Sequence, residues 1–147
     1  MPSPRLGPLP FRLKRPGWDS IGFSGIESVS HRADGILRVT EQGVTLEWAE
    51  VQTIQQVSLE RVGTDVNELT PDWLELPSER IAGAWLVGGW WSPRLDLRAR
   101  EMEDFEGVPG VRGVTLSLRI HRRDRPLASA IAQAIASRIE ARQLGAT

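Results

Sequence analysis

Residues 94–100 read RLDLRAR, and residues 114–145 read VTLSLRIHRRDRPLASAIAQAIASRIEARQLG. In the first stretch Leu95, Leu97 and Ala99 alternate with Arg94, Asp96, Arg98 and Arg100. In the second, Val114, Leu116, Leu118 and Ile120 alternate with Thr115, Ser117, Arg119 and His121. A period of two gives each strand one apolar and one wet face, as in an antiparallel sheet or small barrel. After His121 the period changes. Asp124 is a candidate N-cap and Pro126 stands in the first turn. Leu127, Ile131, Ile135 and Ile139 then recur every fourth residue, flanked by Ala130 and Ala134, and Gly145 is a natural stop. That is one apolar stripe on a helix of about five turns. Such a stripe must be buried, and the open end or face of the strand layer is the place for it.

Upstream, Gly35–Thr40 and Val44–Ala49 alternate across a Glu-Gln-Gly turn, the pattern of an antiparallel hairpin. Residues 54–62 form a further strand by the same rule. Residues 63–72 (GTDVNELTPD) are turn-rich and acidic, and residues 73–76 make a short strand stopped by Pro77. Residues 81–88 (IAGAWLVG) make another. Between the two clearest strands, EMEDFEGVPGVRG reads as one acidic helical turn and then a Gly/Pro loop. Residues 18–32 lack a firm period and read as loop with room for one strand.

The first 17 residues carry prolines at positions 2, 4, 8, 10 and 16. Proline lacks the donor that a helix or central strand needs. The division expected is therefore an extended basic arm over 1–17 and a single domain over 18–147, with Leu9, Phe11 and Leu13 as the arm's anchors.

The formal net charge of −1 conceals three unequal parts. Residues 1–17 carry four bases and no acid, residues 18–110 carry 17 acids against 7 bases, and residues 111–147 carry 7 bases against 2 acids. Such a dipole can steer a partner. Nucleic-acid binding is disfavoured, because it calls for a basic excess over the whole domain. The chain has no cysteine and two histidines, so disulfides, thiolate zinc sites and His-rich metal sites are excluded. The longest nearly uncharged stretch, Ile81–Ser92, is too short to span a membrane, and the N-terminus lacks the apolar core of a signal peptide. A cytoplasmic protein is expected, with peripheral attachment to the cytoplasmic face of a membrane left open.

Several antiparallel strands followed by one C-terminal helix resemble the pleckstrin-homology-like domains of bacteria. The step Leu76-Pro77-Ser78-Glu79-Arg80-Ile81, the hairpin from Trp85 to Ala99 and the closing helix carry the resemblance over residues 34–142. It implies a mainly β fold with a C-terminal α-helix, a small antiparallel barrel or sandwich capped by one amphipathic helix. It also implies a binding role, toward proteins or lipids.

The sequence holds no pattern that names a reaction. His31 lies in an expected loop without a clear orienting carboxylate, and His121 projects from the wet face of a strand. Gly107, Gly110 and Gly113 precede a strand rather than a helix, so they do not form a phosphate cradle. Glu101, Glu103, Asp104 and Glu106 match no calcium-loop spacing. No enzyme activity, cofactor or metal is expected. Two features stand out. Trp90 and Trp91 sit at an expected hairpin tip, where exposing them is costly unless they meet a partner or the core. Arg98, Arg100 and Arg119 would share one wet face if their strands are neighbours, and arginine forks suit carboxylates and phosphates. The expected partner-binding set is Leu9, Phe11, Leu13, Trp90, Trp91, Arg98, Arg100 and Arg119. The expected role is a non-catalytic accessory or scaffolding subunit that contacts protein in a larger assembly. An anionic membrane surface is the alternative partner, an undetected small-ligand carrier or enzyme is a third, and self-association is left open.

Overall fold

The structure is a computed structural model and describes residues 6–13, 20–22, 26–57, 62–68, 71–109 and 111–145. The strands are β1 (Leu9–Leu13), β2 (Ser20–Gly22), β3 (Ile26–Val39), β4 (Gly43–Val57), β5 (Val62–Glu68), β6 (Asp72–Pro77), β7 (Ile81–Val87), β8 (Arg94–Ala99) and β9 (Thr115–Arg119). Among the described residues there is one α-helix, α1 (Arg125–Gly145), which follows the last of these strands. All pairings are antiparallel, in the order β5-β4-β3-β1-β9-β8-β7, with β2 also on β3 and β6 also on β4.

The long ribbon of β3 and β4 runs in unbroken register from Val39↔Val44 to Ile26↔Val57. Each of its strands serves two neighbours. Leu37 to Ala33 pair with β1 and Val29 to Glu27 with β2, while Gly43–Trp48 pair with β6 and Val51–Val57 with β5. Alternation then sets the core. Leu9, Phe11 and Leu13 of β1 point inward with Leu37, Leu46, Leu76, Leu95, Leu97, Leu116 and Leu118.

Among the described residues β6 and β7 do not pair. They are joined at Pro77 by a 3-10 turn, Ser78–Arg80, so the sheet is an open sandwich rather than a closed barrel. α1 packs on β7 and this turn, and buries Ala128, Ile131, Ala132 and Ile135. The i, i+3, i+4, i+7 spacing of these four is that of one helix face. Leu127 and Ile139 flank the face and are partly buried. The guanidinium of Arg138 donates to the carbonyl of Thr40, tying the helix to the turn between β3 and β4. The result is a small antiparallel sandwich capped by a C-terminal helix.

Several expectations are corrected. Residues 9–13 are no arm: β1 lies between β3 and β9, inside the sheet, and belongs to the domain. The boundary at residue 17 therefore does not divide a tail from a domain, and residues 1–5 and 14–17 lie outside the described residues. Where a loop with room for one strand was expected over 18–32, residues 20–22 form β2 and 26–32 begin β3. Of the turn-rich stretch 63–72, residues 63–68 belong to β5 and Asp72 opens β6; 18–19, 23–25 and 69–70 lie outside the described residues. Of the strand expected at 54–62, residues 54–57 are the end of β4 and Val62 opens β5, with 58–61 outside the described residues. His31 sits in β3 opposite Gln52.

Candidate functional site

The outward faces of four adjacent strands place a row of charges at one level of the sheet. Asp34 of β3 stands opposite Arg12 of β1, Arg12 opposite Arg119 of β9, and Arg119 opposite Arg94 of β8. The two ends of the arginine row are answered. Arg12 Nε lies 3.0 Å from Asp34 Oδ1, and Arg94 Nε lies 3.6 Å from Asp96 Oδ1. Asp34 also takes Arg32, with Nε 3.1 Å from Oδ2. Asp96 accepts in addition from Ser117 Oγ at 2.7 Å. Among the described residues no acid lies within ion-pair distance of Arg119 at the centre.

Beyond Arg119 the chain leaves β1 and stays with β8. The Ile120 N–H donates to the Pro93 carbonyl at 3.0 Å. His121 then caps a 3-10 turn, Arg122–Asp124, its Nδ1 accepting from the Arg123 N–H at 3.1 Å. Where the two strands part, an open cleft of about 640 Å³ forms. Pro10, Arg12 and Asp34 line one wall, Arg119 and Arg122 the other, and Trp91 stands at the rim. The three arginines against one aspartate make the lining net positive.

Trp91 is held by the geometry of the β7–β8 turn. Gly88 has φ +93°, in the left-handed region, and a Cβ there would meet the Ser92 carbonyl oxygen at 2.4 Å. Only glycine takes that conformation without strain. The Ser92 N–H donates to the Gly89 carbonyl at 3.3 Å, closing the turn, and Arg125 reaches the same carbonyl from α1 at 3.4 Å. Trp90 and Trp91 are 68% and 76% exposed. The Arg122 guanidinium carbon lies 5.1 Å from the centroid of the Trp91 ring, a cation–π contact.

The structure thus regroups the residues expected from the sequence. Trp90 and Trp91 occupy the hairpin tip. Arg119 sits in the cleft, but its neighbours are Arg12, Arg94 and Arg122. Arg98 shares the outer face of β8 yet pairs with Thr115, about 13 Å along the strand from Arg94 at the usual rise per residue. Arg100 lies past the end of β8, its N–H donating to the Arg80 carbonyl at 2.9 Å. Leu9 and Leu13 are fully buried and cannot meet a partner, because β1 is a central strand. Phe11 is buried too, its ring over Gly35, though its edge borders the cleft. Sequence reasoning passed over Arg12 because the prolines around it signalled an arm. The alternation of Leu9, Phe11 and Leu13 was the signal that could have found it.

The acidic cluster is a structural corner. Glu101 and Asp104 form a reciprocal capping box on the 3-10 turn Met102–Phe105, and both approach Arg80 at 3.8–3.9 Å. Among the described residues no group of three or more His, Asp or Glu side chains converges as a metal site would require, and no helix is long and apolar enough to cross a membrane. Comparison with protein-family models, with curated proteins and with solved structures finds no match.

Proposed function

We propose that this chain is a non-catalytic binding module, a pleckstrin-homology-like domain that serves as a small accessory subunit through protein–protein contacts. One observation carries the reading: two adjacent tryptophans, both largely exposed, are held on a glycine-fixed turn at the rim of a basic cleft. Aromatic side chains bury about 150–250 Å² each at a contact, and tryptophan and arginine dominate binding energy where interfaces have been scanned. The order of strands followed by a capping helix supports the domain resemblance.

The competing reading is a membrane surface. Basic residues near an anionic bilayer contribute roughly 1 kcal/mol each, so the few arginines of this face give weak, reversible attachment. That attraction is screened over a Debye length of about 8 Å at physiological ionic strength. A contact built on buried tryptophan tolerates salt.

The experiment is a native-source capture with the wild-type chain and with Trp90→Ser/Trp91→Ser, read by mass spectrometry, beside vesicle co-sedimentation at 0.15 M salt. A protein captured by the wild type and lost by the double variant is the expected result, with little vesicle binding. Tight vesicle binding that arginine substitutions abolish would put the membrane reading first.

A further inference from the structure

We propose that the cleft between β1 and β9 docks an extended, carboxylate-rich peptide segment of the partner protein, with Arg119 as its central anchor. The inference rests on the protein-binding reading above and adds the chemistry of the partner.

The argument begins with an unfavourable arrangement. Like charges directly opposite one another destabilise a sheet. Nevertheless β8, β9 and β1 set Arg94, Arg119 and Arg12 side by side. Asp96 and Asp34 offset the outer two, and among the described residues nothing offsets Arg119. Arg122 adds a further guanidinium on the same wall as Arg119. A guanidinium presents a planar fork that matches a carboxylate with two parallel hydrogen bonds. Asp34 already shows a carboxylate held by guanidinium groups on this face, one oxygen taken by Arg12 and the other by Arg32.

Shape then selects the kind of anion carrier. A cleft of about 640 Å³ is of the size that takes a ligand many times larger than one carboxylate or one phosphate. Its basic groups are interleaved with Pro10, Pro93, Ile120 and the ring of Trp91. A concave wall of mixed basic and apolar character fits a chain segment that carries both acids and rings. A single lipid headgroup entering this recess would bring an anion but no flanking side chains to meet its apolar walls, which a peptide segment supplies.

The probe is a blocked Glu-Glu-Pro-Tyr-Glu-Glu peptide, titrated calorimetrically into the full chain. The comparison ligands are the same peptide with Gln for Glu, inorganic phosphate, and phosphatidylcholine–phosphatidylserine vesicles. The Glu peptide should bind and the Gln peptide should not. Arg119→Gln should weaken binding about tenfold or more, the loss expected for one charge-assisted pair. Arg98→Gln, on the same face but away from the cleft, should change it by less than about twofold, as expected where screening removes a distant charge. Asp34→Asn should tighten binding, because it frees Arg12 and removes the one acid of the lining, an effect opposite in sign to structural damage. Failure of the Glu peptide to bind, equal binding of the Gln peptide, indifference to Arg119→Gln, or a preference for phosphate or vesicles would each overturn the proposal. If Arg119→Gln keeps the captured partner while Trp90→Ser/Trp91→Ser loses it, the peptide inference falls and the protein-binding reading stands. If the double variant keeps it, the protein-binding reading itself falls.

Discussion

Removing residues 1–13 should unfold this domain. The prolines of the N-terminus invite the opposite expectation, that the segment can be cut away and leave a folded core. In the structure Leu9, Phe11 and Leu13 are buried, and five consecutive residues of β1 pair with Leu37 to Ala33 of β3. Burying a large apolar side chain is worth about 1.5–3 kcal/mol, so the three together contribute about 5–9 kcal/mol as an upper estimate. Domains are stable by only about 5–15 kcal/mol in total. Deletion also leaves the inner ladder of β3 without its partner and separates β3 from β9. The truncated chain should therefore lose its cooperative urea transition, followed by far-ultraviolet circular dichroism and tryptophan fluorescence together. A milder form of the same test is Phe11→Ala. The Phe11 ring fills the space that a side chain at Gly35 would occupy, with its Cζ 2.5 Å from an ideal Cβ there. Truncating it should cost about 3–5 kcal/mol. A truncated chain with the wild-type urea midpoint and slope would refute the placement of β1 at the centre of the sheet.

Other outcomes follow from the same packing. Ile135→Ala should cost about 2–5 kcal/mol, since Ile135 is buried beside Val44 and Ile81 under the helix, and at roughly 2–4 °C per kcal/mol the loss is readable by calorimetry. Gly35→Ala should cost about 1–3 kcal/mol or more, because its Cβ would meet the Glu47 carbonyl oxygen at 2.3 Å as well as the Phe11 ring, and backbone cannot move aside as a flexible side chain does. Trp90→Ser/Trp91→Ser should leave stability within about 1 kcal/mol, the loss being mainly the exposed contact of Arg122 with the Trp91 ring, so a thermal melt verifies that partner loss is not unfolding.

What was legible in the sequence is what has one dry face. Residues 94–99 and 115–119, the turn after Val39, and the stripe through Ile131 and Ile135 all follow from burying one side of an element while the other meets water. The ribbon beyond that region follows a different rule. Ile26–His31 and Val62–Glu68 pair through backbone groups, and their sequences show no regular apolar alternation for a reader to find. β1 was hidden by Pro10, a residue normally kept out of central strands. The strand tolerates it here because, among the described residues, β1 meets β9 at Arg12 alone, so its ladder on that side does not call on every residue. The cleft was hidden for a deeper reason. Arg12 and Arg119 lie near opposite ends of the chain, and nothing local to either announces the other.

That separation has a physical consequence. The Trp90–Trp91 turn belongs to one hairpin, whereas the cleft exists only after the first strand and the last have met. An anionic segment held between Arg12 and Arg119 binds the folded chain and finds no equivalent in the unfolded one. Such a ligand stabilises the fold by mass action, by about 2.7 kcal/mol at a hundred times its dissociation constant. Binding at the cleft therefore reports directly on whether β1 is docked. A variant that loosens β1, such as Phe11→Ala, should weaken the acidic peptide even though Phe11 itself carries no charge, and peptide in excess should restore part of its lost melting temperature. A Phe11→Ala chain that is destabilised as expected, yet gains no stability from peptide that it still binds, would break the link between the docking of β1 and the formation of the site.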